Sequence, residues 1–109
     1  MILIIKKRAT EEEIEKMSKD FEGYIKVVVD VENDMLAGGG KRHFEAEKIL
    51  IEQGSRQEDL WGGGLDLEIG EIDYNSIINV RPRDQNFSRD IMTREIRKKF
   101  DKIVKKFLL

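Results

Sequence analysis

The chain reads as an α+β domain, one mostly antiparallel sheet of about five strands with two helices in the order β-α-β-β-β-β-α. Three observations carry that reading. An apolar run opens the chain, a β-branched run over residues 24–31 follows a capped helix, and the C-terminal segment places apolar side chains at helical spacing. Its 109 residues fit one domain, with a core large enough to need no disulfide or metal staple.

Residues 1–7 start with Met1-Ile2-Leu3-Ile4-Ile5, apolar on both faces, and read as a central strand. Thr10-Glu11-Glu12-Glu13 is a capping box: the Thr10 hydroxyl accepts from the Glu13 amide while the Glu13 carboxylate reaches back, and the acidic first turn suits the helix dipole. Ile14, Met17 and Phe21 share a face of that helix, and Gly23 is its expected end. In the strand that follows, Val27, Val29 and Val31 point one way and Val28, Asp30 and Glu32 the other. Residues 33–47 are ambiguous. The favoured reading is a long hairpin that turns at Gly38-Gly39-Gly40 and returns through Phe44 to Ile51; a short helix around Phe44 to Leu50 is the alternative.

Gly54-Ser55 marks the next turn. Residues 65–69 alternate apolar and acidic side chains, and Gly70-Glu71 reads as a two-residue loop into a strand over 72–80. That register sets Glu68 opposite Asp73, with Asp66 opposite Asn75. Arg81-Pro82 stops the strand, because proline cannot donate to the ladder and holds the residue before it extended. Thr93 caps a last helix over 93–107, whose Ile96, Phe100, Ile103, Val104 and Phe107 form one apolar stripe. Both helices are expected to cover the same face of the sheet.

Composition narrows the function classes. There is no cysteine, which excludes disulfides and thiolate metal sites and agrees with a reducing cytoplasm. The N-terminal apolar run is too short for a signal sequence or a membrane span. A net charge of −2 conceals a partition: residues 1–80 carry 10 basic and 18 acidic side chains, residues 81–109 carry 10 and 4. The basic face of the last helix therefore either docks on the acidic body or stays solvated.

Candidate chemistry is sparse. Gly38-Gly39-Gly40-Lys41-Arg42 lacks the G-x-x-x-x-G-K-[ST] pattern of a phosphate loop, although glycine amides can still form an anion nest. His43 is the single histidine, so a histidine-rich metal site is excluded, and a general-base role would need a carboxylate such as Asp30, Glu47 or Asp59 to orient it. Asp66, Glu68 and Asp73 offer hard oxygen ligands but no motif; no metal and no cofactor is expected. Neither Ser55 nor Ser88 sits in a G-x-S-x-G nucleophile motif. Arg81 and Arg83 flank the proline, and their planar donor forks suit an anion, while Trp61 offers an apolar ring.

Leu36-Ala37-Gly38-Gly39-Gly40 with His43, residues 54–62 (GSRQEDLWG), and Ile78-Asn79-Val80-Arg81-Pro82 with Asn86 and Ser88 resemble the signature of an uncharacterised family of short prokaryotic proteins. The resemblance spans residues 25 to 88. It implies no activity, only that polar residues of three separated segments belong together; Gly63 and Gly64 are read as local turn choices.

The expectation is thus a domain that binds a small anionic ligand at a site shared by His43, Asp59, Trp61 and Arg81, with Asp59 holding Arg81 or His43. The second reading is a protein-interaction module or homodimer without catalytic activity. Nucleic-acid binding through the C-terminal helix ranks third, because the body is acidic and no aromatic side chains interleave the basic run. Fluorescence titration with single- and double-stranded DNA should show no salt-sensitive binding tighter than about 10⁻⁷ M. Tighter binding that weakens steeply with salt would reverse that ranking.

Overall fold

The Thr10 hydroxyl accepts from the Glu13 amide at 3.1 Å, and the Glu13 carboxylate accepts from the Thr10 amide at 2.9 Å. Helix α1 (Glu11–Met17) starts at this capping box. The computed structural model, which describes residues 1–109, ends the helix at Met17, sooner than the apolar spacing suggests. Phe21 lies beyond it in a bridge to Tyr24, and Gly23 (φ +74°) serves the turn into the next strand.

Strands β1 (Leu3–Ile5), β2 (Tyr24–Asp30), β3 (Met35–Gly38), β4 (Leu60–Asp66) and β5 (Glu71–Asp73) form one antiparallel sheet in the order β1-β3-β2-β4-β5. The class is α+β with five strands, as expected. The helices number three: α1, α2 (His43–Glu52) and α3 (Arg94–Leu108).

Four expectations need correction. The first strand is at an edge, pairing only with β3. Its two apolar faces arise because both sides of the sheet are covered: Leu3 and Ile5 join the core under α3, while Ile2 and Ile4 pack on the α2 side. The second concerns the number of helices: α1 and α3 do cover one face, Ile14 and Met17 packing in the same core as Phe100 and Phe107, and the additional helix α2 covers the other. Val27, Val29, Trp61 and Leu65 meet Phe100, Ile103, Val104 and Phe107 of α3, whereas Val28, Ala37 and Leu60 meet Ala46 and Leu50 of α2.

The third correction is the long hairpin, whose return strand is helix α2. Gly39 (φ +103°) and Gly40 (φ +80°) swing the chain off the sheet, and His43, Ala46 and Leu50 then fall at helical spacing on the buried side. Apolar residues at 44, 46 and 50 fit a period of two almost as well, so only the cover offered by β2, β3 and β4 decides between them. The fourth is β5, three residues long and joined through residues 67–70, with Leu65 opposite Ile72 and Gly64 opposite Asp73. The two-residue loop at Gly70-Glu71 is not formed, because Asp66 captures the turn: its Oδ1 accepts from the Glu68 amide at 3.0 Å and its carbonyl from the Gly70 amide at 2.8 Å.

The second glycine triplet makes no turn. Gly62, Gly63 and Gly64 are extended residues of β4, next to the sheet's centre, and they are glycines because their neighbours leave no room. A Cβ at Gly62 would lie 2.6 Å from Ser76 Cβ; at Gly63 it would strike Phe100 Cζ at 2.6 Å and the Asp73 carbonyl; at Gly64 it would strike the Tyr24 hydroxyl.

Phe100 is fully buried against that glycine floor and Tyr74. Replacing it with Ala should cost about 3–5 kcal/mol in denaturant unfolding, and a loss below about 1 kcal/mol would contradict the packing.

Candidate functional site

Beyond Asp73 the chain leaves the sheet, and residues 74–92 form an irregular loop on the open edge of β4. Two buried asparagines hold it. Asn79 Oδ1 accepts from the Gly62 amide at 2.8 Å while its Nδ2 donates to the Gly62 carbonyl at 2.8 Å, so one side-chain amide replaces the strand neighbour that β5 is too short to supply. The same Nδ2 reaches the carbonyls of Tyr74 and Arg89, both at 2.9 Å. Asn86 Nδ2 in turn donates to the carbonyls of Asn79, Ser88 and Asp90, and its Oδ1 accepts from the Met92 amide at 2.8 Å. Side-chain amides thereby supply the hydrogen bonds that regular structure would otherwise make in this segment.

Arg81 stands at the turn of this loop. Its amide and carbonyl both pair with Asn86, closing a tight turn through Pro82, Asp84 and Gln85, the last at φ +59°. The side chain folds back over the sheet edge, with Cζ 4.0 Å from the centre of the Trp61 ring. Nε donates to the Ile78 carbonyl at 3.2 Å and Nη1 to the Glu58 carbonyl at 3.1 Å, while Nη2 is buried without a hydrogen-bond partner. The side chain is only 12% exposed, and the nearest ion-pair oxygen, Asp84 Oδ2, is 3.9 Å away. Burial pulls the guanidinium below its ordinary pKa, against the opposing influence of Asp84, Glu47 and Asp59.

This arginine forms part of the wall of a cavity of about 500 Å³. Glu47 lines it from α2, Gln57 and Glu58 from a 3-10 turn (Gln57–Asp59), and Ile77, Val80 and Arg83 from the loop. Glu47 is half-buried, and burial raises its pKa although Gln57 and Arg81 work the other way. Glu58 is paired with Arg56.

Of the four residues expected to share a site, the structure joins two directly, Trp61 and Arg81. Trp61 is almost wholly buried in the α3 core and meets the cavity only through the arginine stacked on it. Asp59 is close enough to influence the charge of Arg81, yet what holds the guanidinium is the carbonyl oxygens of Glu58 and Ile78. The Asp59 carboxyl itself is raised by partial burial and by the nearby Asp30 and Glu58 charges. His43 does not line the cavity; its Nε2 donates to the Gly63 carbonyl at 2.7 Å, bracing α2 against β4.

None of the carboxylates suggested as a partner for His43 takes that role. Asp30 accepts from the Ser55 hydroxyl at 2.7 Å, from Asn33 Nδ2 at 3.0 Å and from two turn amides; burial alone would raise its pKa, but these bonds outweigh it and hold it low. The first glycine triplet offers no open nest, since the Gly39 amide donates to the Lys26 carbonyl and the Gly40 amide to Asp20 Oδ2 at 3.0 Å. Asp66, Glu68 and Asp73 are not gathered into a cation site: Asp66 holds the turn, and Asp73 Oδ2 accepts from the Tyr24 hydroxyl at 2.7 Å.

Glu47 and Asn79 are the residues that sequence reasoning undervalued. Glu47 follows His43 by four residues, a spacing that would have put both on one helix face had the helix been preferred. Nothing in the sequence marks Asn79 as the partner of Gly62.

The chain belongs to a family of proteins of unknown function, DUF5674, whose model matches residues 3–107. That is an uncharacterised family, as the resemblance implied. No curated protein and no solved structure matches it.

Burial lowers the pKa of His43 below the ordinary 6.5, against the opposing pull of the Gly63 carbonyl. On acidification the unfolded chain takes up this proton first, so the contribution of His43 is complete above about 6.5 and is lost as pH falls through the folded value. Glu47, raised by burial, acts in the opposite sense. Across that window the wild type should lose stability relative to His43→Gln with a slope of up to about 1.4 kcal/mol per pH unit, measured by urea unfolding. Parallel pH profiles for the two proteins would show that His43 is not buried in its neutral form.

Proposed function

We propose that this chain is a small-ligand-binding domain, and that its ligand presents an anionic group to Arg81 in the cavity between α2 and the loop of residues 74–92. One observation carries the reading: a nearly buried guanidinium at the cavity wall has two carbonyl bonds and a tryptophan platform but no hydrogen-bonded carboxylate. Burying a cation without a close counter-ion is costly, and an oxyanion that displaces the loose Asp84 contact at Nη1 supplies the missing charge. In this scheme Arg81 is the ligand contact, with Trp61 fixing the plane of its donor fork. Asp59 adds long-range charge, and His43 supports the strand that carries Trp61.

A second reading, as an interaction module or homodimer, has its own observation. The pinned loop holds Ile77 and Phe87 largely in solvent, 60% and 67% exposed. Rigid exposed apolar side chains suit a partner surface.

Titration of the protein with succinate and with inorganic phosphate, followed by amide chemical shifts, distinguishes the readings. Shifts should centre on residues 78–84. Arg81→Ala should weaken binding about tenfold or more, and Asp84→Asn should tighten it a few-fold without lowering the melting temperature greatly. Unchanged affinity in Arg81→Ala, or shifts confined to the exposed lysines of α3, would refute the anion site. Concentration-dependent amide broadening at Ile77 and Phe87 without added ligand would instead support self-association.

A further inference from the structure

The cavity holds a second charge that anion binding leaves unanswered. Glu47 projects from α2, is half-buried, and forms no ion pair within 4.0 Å with any lysine or arginine. The other cavity carboxylates have cationic neighbours: Glu58 pairs with Arg56, and Asp84 approaches Arg81. Glu47 and Arg81 line the same cavity from opposite elements, α2 and the loop, and each perturbs the other's proton affinity, yet they do not bond. Ile77, Ile78 and Val80 contribute apolar wall to the same space.

Resting on the anion-site reading, we infer that the ligand is a small zwitterion, an amino carboxylate whose carboxylate pairs with Arg81, whose ammonium group pairs with Glu47, and whose hydrocarbon body lies along Ile77 and Val80. The alternatives leave a charge opposed. A simple dianion brings like charge to Glu47, and a diamine brings like charge to Arg81; only a ligand with one charge of each sign answers both walls. A cavity of about 500 Å³ leaves room for such a molecule between the two charges. No part of this requires chemistry on the ligand, and the same two contacts serve capture or sensing.

The test is a length series. The folded full-length protein is titrated by amide chemical shift and calorimetry with β-alanine, 4-aminobutyrate, 5-aminopentanoate and 6-aminohexanoate, each against the unsubstituted carboxylate of equal length. At least one amino carboxylate should bind about tenfold tighter than its carboxylate counterpart. Glu47→Gln should erase that ratio while leaving carboxylate binding intact, and Arg81→Ala should weaken both members of the pair. Equal binding of the two members in the wild type overturns the zwitterion assignment; if Arg81→Ala still weakens the carboxylate, the anion site stands without it. Absence of binding by every member, together with no response to succinate or phosphate, overturns both. Should Glu47→Gln fail to fold, the wild-type comparison decides alone.

Discussion

A single side-chain amide, that of Asn79, closes the open edge of β4 and so determines where the rest of the loop can go. The Gly62 peptide presents its N–H and C=O away from β2, toward an edge that β5 leaves uncovered, and Asn79 answers both at 2.8 Å. Left unpaired in a buried setting, those two groups would cost of the order of 1–3 kcal/mol each. Because Asn79 also binds the carbonyls of Tyr74 and Arg89, the amide that protects the sheet edge also ties the two limbs of the loop together. Asn86 continues the arrangement from Asn79 to Met92, and Arg81, paired through its backbone with Asn86, is delivered over Trp61.

The glycines of β4 make this closeness feasible. Ser76 approaches Gly62, Phe100 and the Asp73 carbonyl approach Gly63, and Tyr24 approaches Gly64, each nearer than any Cβ would allow. The triplet therefore carries interactions on both faces of the sheet and at its edge. It takes α3 on one side and the loop on the other, and the Gly63 carbonyl also receives His43 of α2. Glycine weakens a strand by its entropy, and here close packing on every side offsets that cost.

Charge follows the same layout. The basic face of α3 stays largely in solvent, touching the acidic body through Lys106 and Asp34, while the charges that do enter the interior are few. Asp30 is surrounded by donors and is held ionised; Arg81 and Glu47 have fewer partners, and burial shifts each toward its neutral form. That contrast sets a structural carboxylate apart from a pair of groups available for a ligand.

Much of the framework was legible from local signals. The capping box at Thr10, the valine-rich strand with its two faces, the five-strand α+β class and the amphipathic last helix each follow from residues within a turn or two of one another. Thr93 marked the start of that helix correctly, although its hydroxyl makes no capping bond. What the tertiary structure decided were the choices in which two local patterns compete or in which the partner is distant in sequence. Residues 43–52 suit a helix or a strand until the far face of the sheet needs cover, and Ile72, Tyr74, Ser76 and Ile78 alternate like a strand, although after Asp73 the glycines of β4 admit Ser76 and Asn79 instead. For the candidate site, the sequence by itself nominated Arg81 and Trp61 as chemistry in need of a setting. Their stacking, the exclusion of His43 from the cavity and the arrival of Glu47 opposite the arginine depend on side-chain amides and carbonyls far apart along the chain, which no local periodicity encodes.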